Sequence, residues 1–348
     1  MTSKPAKRTT RVKLKDVAAA SGVHYSTVSR VMRVGSSGQI SEDVAERVRK
    51  VARELGYRSN VVAASLRTNS TRTIGLIVHD MSDPIYPPIL SGIEAELSPA
   101  GYSVLVANTG YSIDVEMDIV DRMASHLVDG IFLATTRIED PIVAACQDMS
   151  IPLVSVLRQT ESDQISAVVN DCFGGMQKLV QNVISLGYRD IGVILAPQNL
   201  STARERWDAI HITLQAAGIP LHDHRITFVN EMTTEEGERA ARLLLAARPQ
   251  PPELIICVND LVAIGAIRSC RAAGFRIPDD ISISGYNDIP LVDMIDPPLT
   301  TVRMQLCEIG KEAGRLMLDH LDKPVSPTQT IRIPSDLVVR GSLKDMKS

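Results

Sequence analysis

The sequence predicts two unlike bodies on one chain: an all-α helix-turn-helix headpiece, then an α/β body of two lobes built on parallel sheets. Three observations carry that prediction. Charge is divided unevenly: residues 1–73 hold 15 Lys and Arg against 5 Asp and Glu, a net of +10, whereas the rest carries −14 within a total of −4. The stretch LKDVAAASGVHYSTVSRVMR, residues 14–33, reads as two short helices about a glycine. From residue 74 onward, β-branched runs alternate with helical stretches, and there are too many strands for one small sheet.

A chain of 348 residues has room for more than one domain. Aromatic residues make up only 3% against 44% hydrophobic, so aliphatic and alanine packing must dominate the cores. No apolar run approaches the ~18 residues of a membrane span. The first 15 residues are basic and lack the apolar middle of a signal peptide. A cytoplasmic protein with no membrane partner is therefore expected. Cys146, Cys172, Cys257, Cys270 and Cys307 are scattered without CxxC spacing, and are expected to be buried thiols. No metal site and no cofactor is expected.

In the head, residues 15–21 suit a first helix with Val17 and Ala18 facing inward. Gly22 sits where a tight turn needs a positive φ or a missing Cβ, and Val23 follows as an apolar plug. Residues 25–33 suit a second helix with Val28 and Val31 inside. Tyr25, Ser26, Ser29 and Arg30 are left on its outer face. A plain helical hairpin would look similar, but basic charge running through an ordered helical pattern favours a polyanion reader. Ser41 can cap a third helix, Glu42 and Asp43 suit its positive end, and Gly56 stands at its usual C-terminal glycine position. Val44, Val48, Val51, Ala52 and Leu55 form its apolar stripe.

In the body, the clearest strands are 74–78, 103–107, 130–134, 153–157, 191–195, 254–257 and 281–285. Helices fit at 90–97, 117–127, 176–186, 206–217 and 261–273. A polar break near 158–166 suits the crossover between lobes. Open α/β sheets bind ligands at the carboxyl ends of their strands, so the cleft between two lobes is the expected site. There is no Walker A pattern, no GxGxxG after a strand and no His/Cys cluster, which speaks against an enzyme. Phe173-Gly174-Gly175 opens a helix without a phosphate-loop pattern and reads as close packing.

LKDVAAASGVHYSTVSRVM, followed by VRKVARELGYRSNVVAASLRTNSTRTIGLIV, resembles the start of the lactose/galactose repressor (LacI/GalR) family. Further on, IGLIVHDMSDPIYPPILSGIE, ISISGYNDIPLVDMIDPPLTTVR and IPSDLVVRGS resemble that family's sensor, so the likeness spans roughly residues 14–341. It implies a periplasmic-binding-protein-like fold for the body. It also implies a DNA-binding transcription regulator, a repressor whose operator binding is controlled by a small polar metabolite such as a sugar or sugar acid. The implied domains are 1–58 for DNA binding, 59–73 for a hinge helix and linker, 74–341 for ligand binding and dimerisation, and 342–348 as a tail. A homodimer on a pseudo-palindromic operator follows, without a tetramer-forming extension.

The resemblance also assigns residues. Tyr25, Ser26 and Arg30 match base-reading positions. Asn60 opens the stretch 60–68 that matches the hinge helix, and Leu66 matches a minor-groove wedge, although it could be one more apolar helix residue. The family often has Ser where His24 stands and Pro where Ser59 stands, so His24 should cap its helix less well and Ser59 should loosen the turn. Tyr86, Arg158, Arg206, Met232, Asn259 and Asn287 are the implied ligand contacts. Ordinary alternatives stay open: a core aromatic for Tyr86, salt bridges for Arg158 and Arg206, an N-cap for Asn259 and a turn for Asn287. Asn287 stands where well-known members have Asp. Two arginines without that carboxylate favour an anionic ligand, unless Asp80, Asp260 or Asp288 supplies the charge.

Overall fold

A computed structural model describes residues 12–32, 40–57, 70–125, 128–161, 165–246, 250–323 and 327–347. Internal contacts divide the chain between Thr71 and Arg72 into two units. In the first unit, α1 (Leu14–Ser21), α2 (Tyr25–Val31) and α3 (Glu42–Glu54) enclose a small core of Val17, Ala18, Val28, Val48 and Ala52. The backbone N–H of Lys13 donates to the Asp16 carboxylate at 2.7 Å, which fixes the start of α1. Gly22 ends it at φ +66°, as a tight turn requires. Leu55 is the exception to the predicted α3 stripe, at 39% exposure.

The second unit holds two parallel sheets. In the first, the strand order is β11 (Thr330–Ile333), β5 (Ser166–Asn170), β4 (Leu153–Leu157), β3 (Gly130–Leu133), β1 (Thr73–Val78) and β2 (Ser103–Asn108). In the second it is β7 (Ile226–Phe228), β6 (Ile191–Leu195), β8 (Leu254–Cys257) and β9 (Ser282–Ser284). The strands read as near-continuous apolar runs because helices cover them. β1, β3, β4, β6 and β8 are buried almost throughout. The helices are α4 (Tyr86–Leu97), α5 (Ile113–Ala124), α6 (Pro141–Asp148), α7 (Cys172–Ser185), α8 (Ser201–Ala216), α9 (Thr234–Ala246), α10 (Asp260–Ala272) and α11 (Leu306–Asp322). Side chains supply several caps: Ser112 for α5, Asp140 for α6, Asp171 for α7 and Asn259 for α10.

Three expectations are corrected. The polar break at 158–166 is not the crossover, because β5 follows it and pairs in parallel with β4 in the same sheet. The chain reaches the second sheet only after Asn170, through α7. It returns after β9 by β10 (Thr301–Arg303) and leaves the first lobe again by β12 (Asp336–Val338), which pairs antiparallel with β10. Residues 342–347 are also no loose tail. The buried Ser342 hydroxyl donates to the Ile283 carbonyl at 2.6 Å and accepts from the Thr300 N–H at 2.8 Å. The Lys344 and Met346 N–H groups donate to Tyr188 Oη and the Leu186 carbonyl. Finally, Cys307 is exposed, whereas the other four cysteines are buried thiols.

One helix contact depends on two missing side chains. Gly92 of α4 and Gly310 of α11 face each other so closely that a methyl on Gly92 would strike the Cys307 carbonyl, and one on Gly310 the Ile89 carbonyl. Backbone cannot yield as a flexible side chain can. Gly92→Ala should therefore cost about 1–3 kcal/mol, seen as a lower urea midpoint with unchanged slope. An unchanged midpoint would mean that the two helices slide apart freely.

Candidate functional site

The head presents one surface of interest. Residues four apart on a helix share a face, so Ser26 and Arg30 line up opposite the buried Val28, with Tyr25 and Ser29 along the flank between them. Tyr25 is 54% exposed, Arg30 is exposed, and Ser26 and Ser29 are half-buried. His24 does cap α2. Its Nδ1 lies 2.8 Å from Ser26 Oγ and accepts the Ser26 N–H at a long 3.4 Å. That length agrees with the expected weaker cap. The His24 and Tyr25 rings are tilted against each other at 4.4 Å. Asn60 and Leu66 lie outside the described residues.

A second cluster gathers at the carboxyl ends of the first-lobe strands. His79 follows β1, Tyr111 follows β2, Thr135 follows β3 and Arg158 follows β4. Arg158 is buried, and its Nη1 donates to His79 Nε2 at 2.9 Å and to the Thr135 carbonyl at 3.3 Å. An arginine can only donate. The His79 proton therefore sits on Nδ1 and points to Thr109 Oγ1 at 3.3 Å. Burial, then the charges of Arg158 and Arg137, lowers His79 to about 3 and keeps it neutral. Tyr111 stacks on the His79 ring at 4.6 Å. Burial also raises Asp83 to about 6 and lowers Arg158 below the usual arginine range.

From the second lobe comes Arg206, on the second turn of α8. It is buried, its Nη1 donates to the Val258 carbonyl at 2.6 Å, and its guanidinium lies 3.7 Å over the Tyr286 ring. Its Nε is buried without a hydrogen-bond partner among the described residues. Tyr286 in turn sits among the connectors between lobes. Its Oη accepts from Asn170 Nδ2 at 2.9 Å, just before α7, and lies 3.4 Å from Ser335 Oγ, just before β12. A methyl on Gly175 of α7 would strike Tyr286 Oη, so that glycine serves close packing, as expected, whereas Gly174 makes room for the Asp171 cap.

The remaining sequence-predicted residues divide. Neither Arg158 nor Arg206 forms a salt bridge among the described residues, contrary to the ordinary alternative for each. Tyr86 is 3% exposed and belongs to the main core, which is its ordinary alternative. Asn259 is buried and its side chain caps α10, accepting from Val262 N at 2.8 Å. Asn287 is buried at φ +118°, and Met232 is half-buried against the second-lobe core. Sequence reasoning missed His79, Asp83, Tyr111 and Arg137. Their positions after strands were the available signal for His79 and Tyr111. A separate concavity of about 390 Å³ lies against Trp207, Ile226 and Phe228 in the second lobe. Neither arginine lines it, so its volume does not make it the site.

Residues 13–60 match the model for bacterial regulatory proteins of the lacI family, and residues 180–343 match a periplasmic binding protein-like domain. The chain is 30% identical to the HTH-type transcriptional repressor CytR of Escherichia coli (strain K12), over 98% of this chain and 99% of that one. Among solved structures, a transcriptional regulator CelR–cellobiose complex has 29% identity and a TM-score of 0.73, covering 95% of this chain and 100% of that one. The lac repressor dimer bound to operator and an anti-inducer shares the fold, with 24% identity and a TM-score of 0.84 over 96% and 100% of the two chains.

Proposed function

Because this chain belongs to the LacI family of bacterial regulatory proteins, we propose that it is a repressor whose operator binding is set by a small polar metabolite held between its lobes. It is a DNA-binding transcriptional regulator and not an enzyme. The proposed operator is pseudo-palindromic, read by a homodimer that places α2 of each subunit in a major-groove half-site. Asn60 and Leu66 are assigned to the hinge, with Leu66 as the minor-groove wedge. Arg158, Arg206, Asn259, Asn287 and Met232 are assigned to the cleft, with Tyr86 behind them. The effector is a sugar or sugar acid, in keeping with the cellobiose bound in the CelR complex.

The observation that carries this reading is Arg206 stacked on Tyr286, which is bonded to the chain beside two of the three connectors. A ligand that pulls on Arg206 pulls on the segments about which the lobes turn. The segment assigned to the hinge precedes β1 in the sequence, and a change in lobe angle is the proposed signal to it. Footprinting on DNA upstream of the protein's own coding sequence, with and without candidate sugars, tests the whole. Two related half-sites whose protection changes with ligand are expected; a single asymmetric site covered by a monomer would refute the dimeric operator model.

Operator affinity should also fall steeply with added salt, because each phosphate neutralised by the +10 head releases counterions. A binding constant that hardly changes between low and physiological salt would remove the basic head as the contact surface.

A further inference from the structure

We propose that the effector is a hydroxylated anion, and that its negative oxygens are held jointly by Arg158 of the first lobe and Arg206 of the second. The inference rests on the cleft reading above and adds the charge of the ligand. Both arginines are buried, at 7% exposure each. Neither has a carboxylate within salt-bridge distance among the described residues. Their hydrogen bonds go to neutral groups: His79 and the Thr135 carbonyl for one, the Val258 carbonyl and Cys172 Sγ for the other. Burial first, and then the charges of Arg137 and Arg206, work against the Arg158 cation, and a buried cation is costly without an anion.

No neighbouring acid comes within salt-bridge distance of either arginine among the described residues. Asp80 accepts from Ser82 N–H and Oγ; Asp83 accepts from the Ile85 N–H and meets the charge of Arg158 only at longer range, while burial raises it to about 6. Glu116 takes Arg137 and Thr135. Asp260 takes Thr301 Oγ1 and the Ile289 N–H. Stacking on Tyr286 fixes the plane of the Arg206 guanidinium, while its Nε–H remains without a partner. A planar donor fork so held suits a carboxylate or a phosphate ester. An anion bound there attracts both lobes at once, so its charge itself favours closure. A neutral sugar would leave the two cations facing each other.

Matched pairs test this on the full chain: galactose with galacturonate, glucose with gluconate, and ribose with its phosphate ester. Calorimetry and thermal shift give affinity for each. The anionic member should bind at least about tenfold tighter than its neutral partner. Arg158→Met should erase that difference, and Arg158→Lys, which keeps the charge, should restore part of it. Uronate or aldonate binding with silent esters assigns a carboxylate, and the reverse assigns a phosphate. A neutral sugar that binds as tightly as its acid, in a manner lost in Arg206→Met, overturns the charge inference and leaves the cleft reading standing. A panel in which no anion binds overturns it too. An anion preference that survives both Arg158→Met and Arg206→Met puts the site elsewhere and overturns both readings. Should the Met variants fail to fold, the wild-type pairs and Arg158→Lys still decide.

Discussion

Arg30→Ala should bind the operator roughly tenfold to a hundredfold more weakly than the wild type, with a much smaller loss on random DNA. The expectation follows from where α2 puts its side chains. Val28 is fully buried beneath the helix, Arg30 is exposed opposite it beside Ser26, and Tyr25 and Ser29 flank them. An arginine reaching a base edge with two hydrogen bonds is worth about 1–3 kcal/mol of discrimination, which is the tenfold-to-hundredfold range. A contact to phosphate alone would weaken all sequences alike. Arg49 provides the comparison. It is on α3 and bonds Glu42 at 2.9 Å. Arg49→Ala should leave the ratio of operator to random affinity unchanged. If Arg30→Ala lowers both affinities equally, Arg30 is a backbone contact and base reading belongs to other residues of α2.

The head was legible in the sequence because its signals are local. A positive-φ glycine, a capping acid and apolar spacing around Val17, Val28 and Val48 all act within a few residues. In the body, β4, β6 and β8 fell on the predicted residues because each is a continuous apolar run bounded by turns. Other elements were hidden by their own composition. α11 carries Gly310 and Gly314 in its middle, and glycine inside a helix weakens the helical signal. The structure needs them small so that α4 can approach. β7, β10 and β12 are three residues each, too short to show a period. β5 was not predicted, because the polar stretch 158–166 directly before it reads as a crossover although the five residues of the strand are buried. The candidate site was the least legible. His79 and Arg158 stand 79 positions apart and meet only once β1 and β4 lie in one sheet. The resemblance supplied Arg158 without its partner.

Asp260 should be the most damaging single truncation in the body. Its carboxylate is buried at the start of α10. It accepts from Thr301 Oγ1 at 2.6 Å, on the connector β10, and from the Ile289 N–H at 2.9 Å. Asp260→Ala strands both donors in the interior, at about 1–3 kcal/mol each, and frees β10 from the second lobe. Asp260→Asn should behave differently, since an amide can accept from Ile289 and donate to the Thr301 hydroxyl. Burial, opposed by those two hydrogen bonds, raises Asp260 from 3.8 to about 7. The nearby Asp288 carboxylate adds to the rise, although Arg303 and Arg340 each hold it at 2.7 Å. A carboxyl raised on folding contributes stability that is complete below its unfolded value and is lost as pH climbs through its folded value. The wild type should therefore lose ground to Asp260→Asn between pH 4 and pH 7, with the gap levelling above that range. Urea denaturation of the two proteins at matched pH values measures the gap directly. A difference that stays constant across the range would mean that Asp260 is ionised throughout in the folded protein, and that its two donors outweigh the cost of its burial.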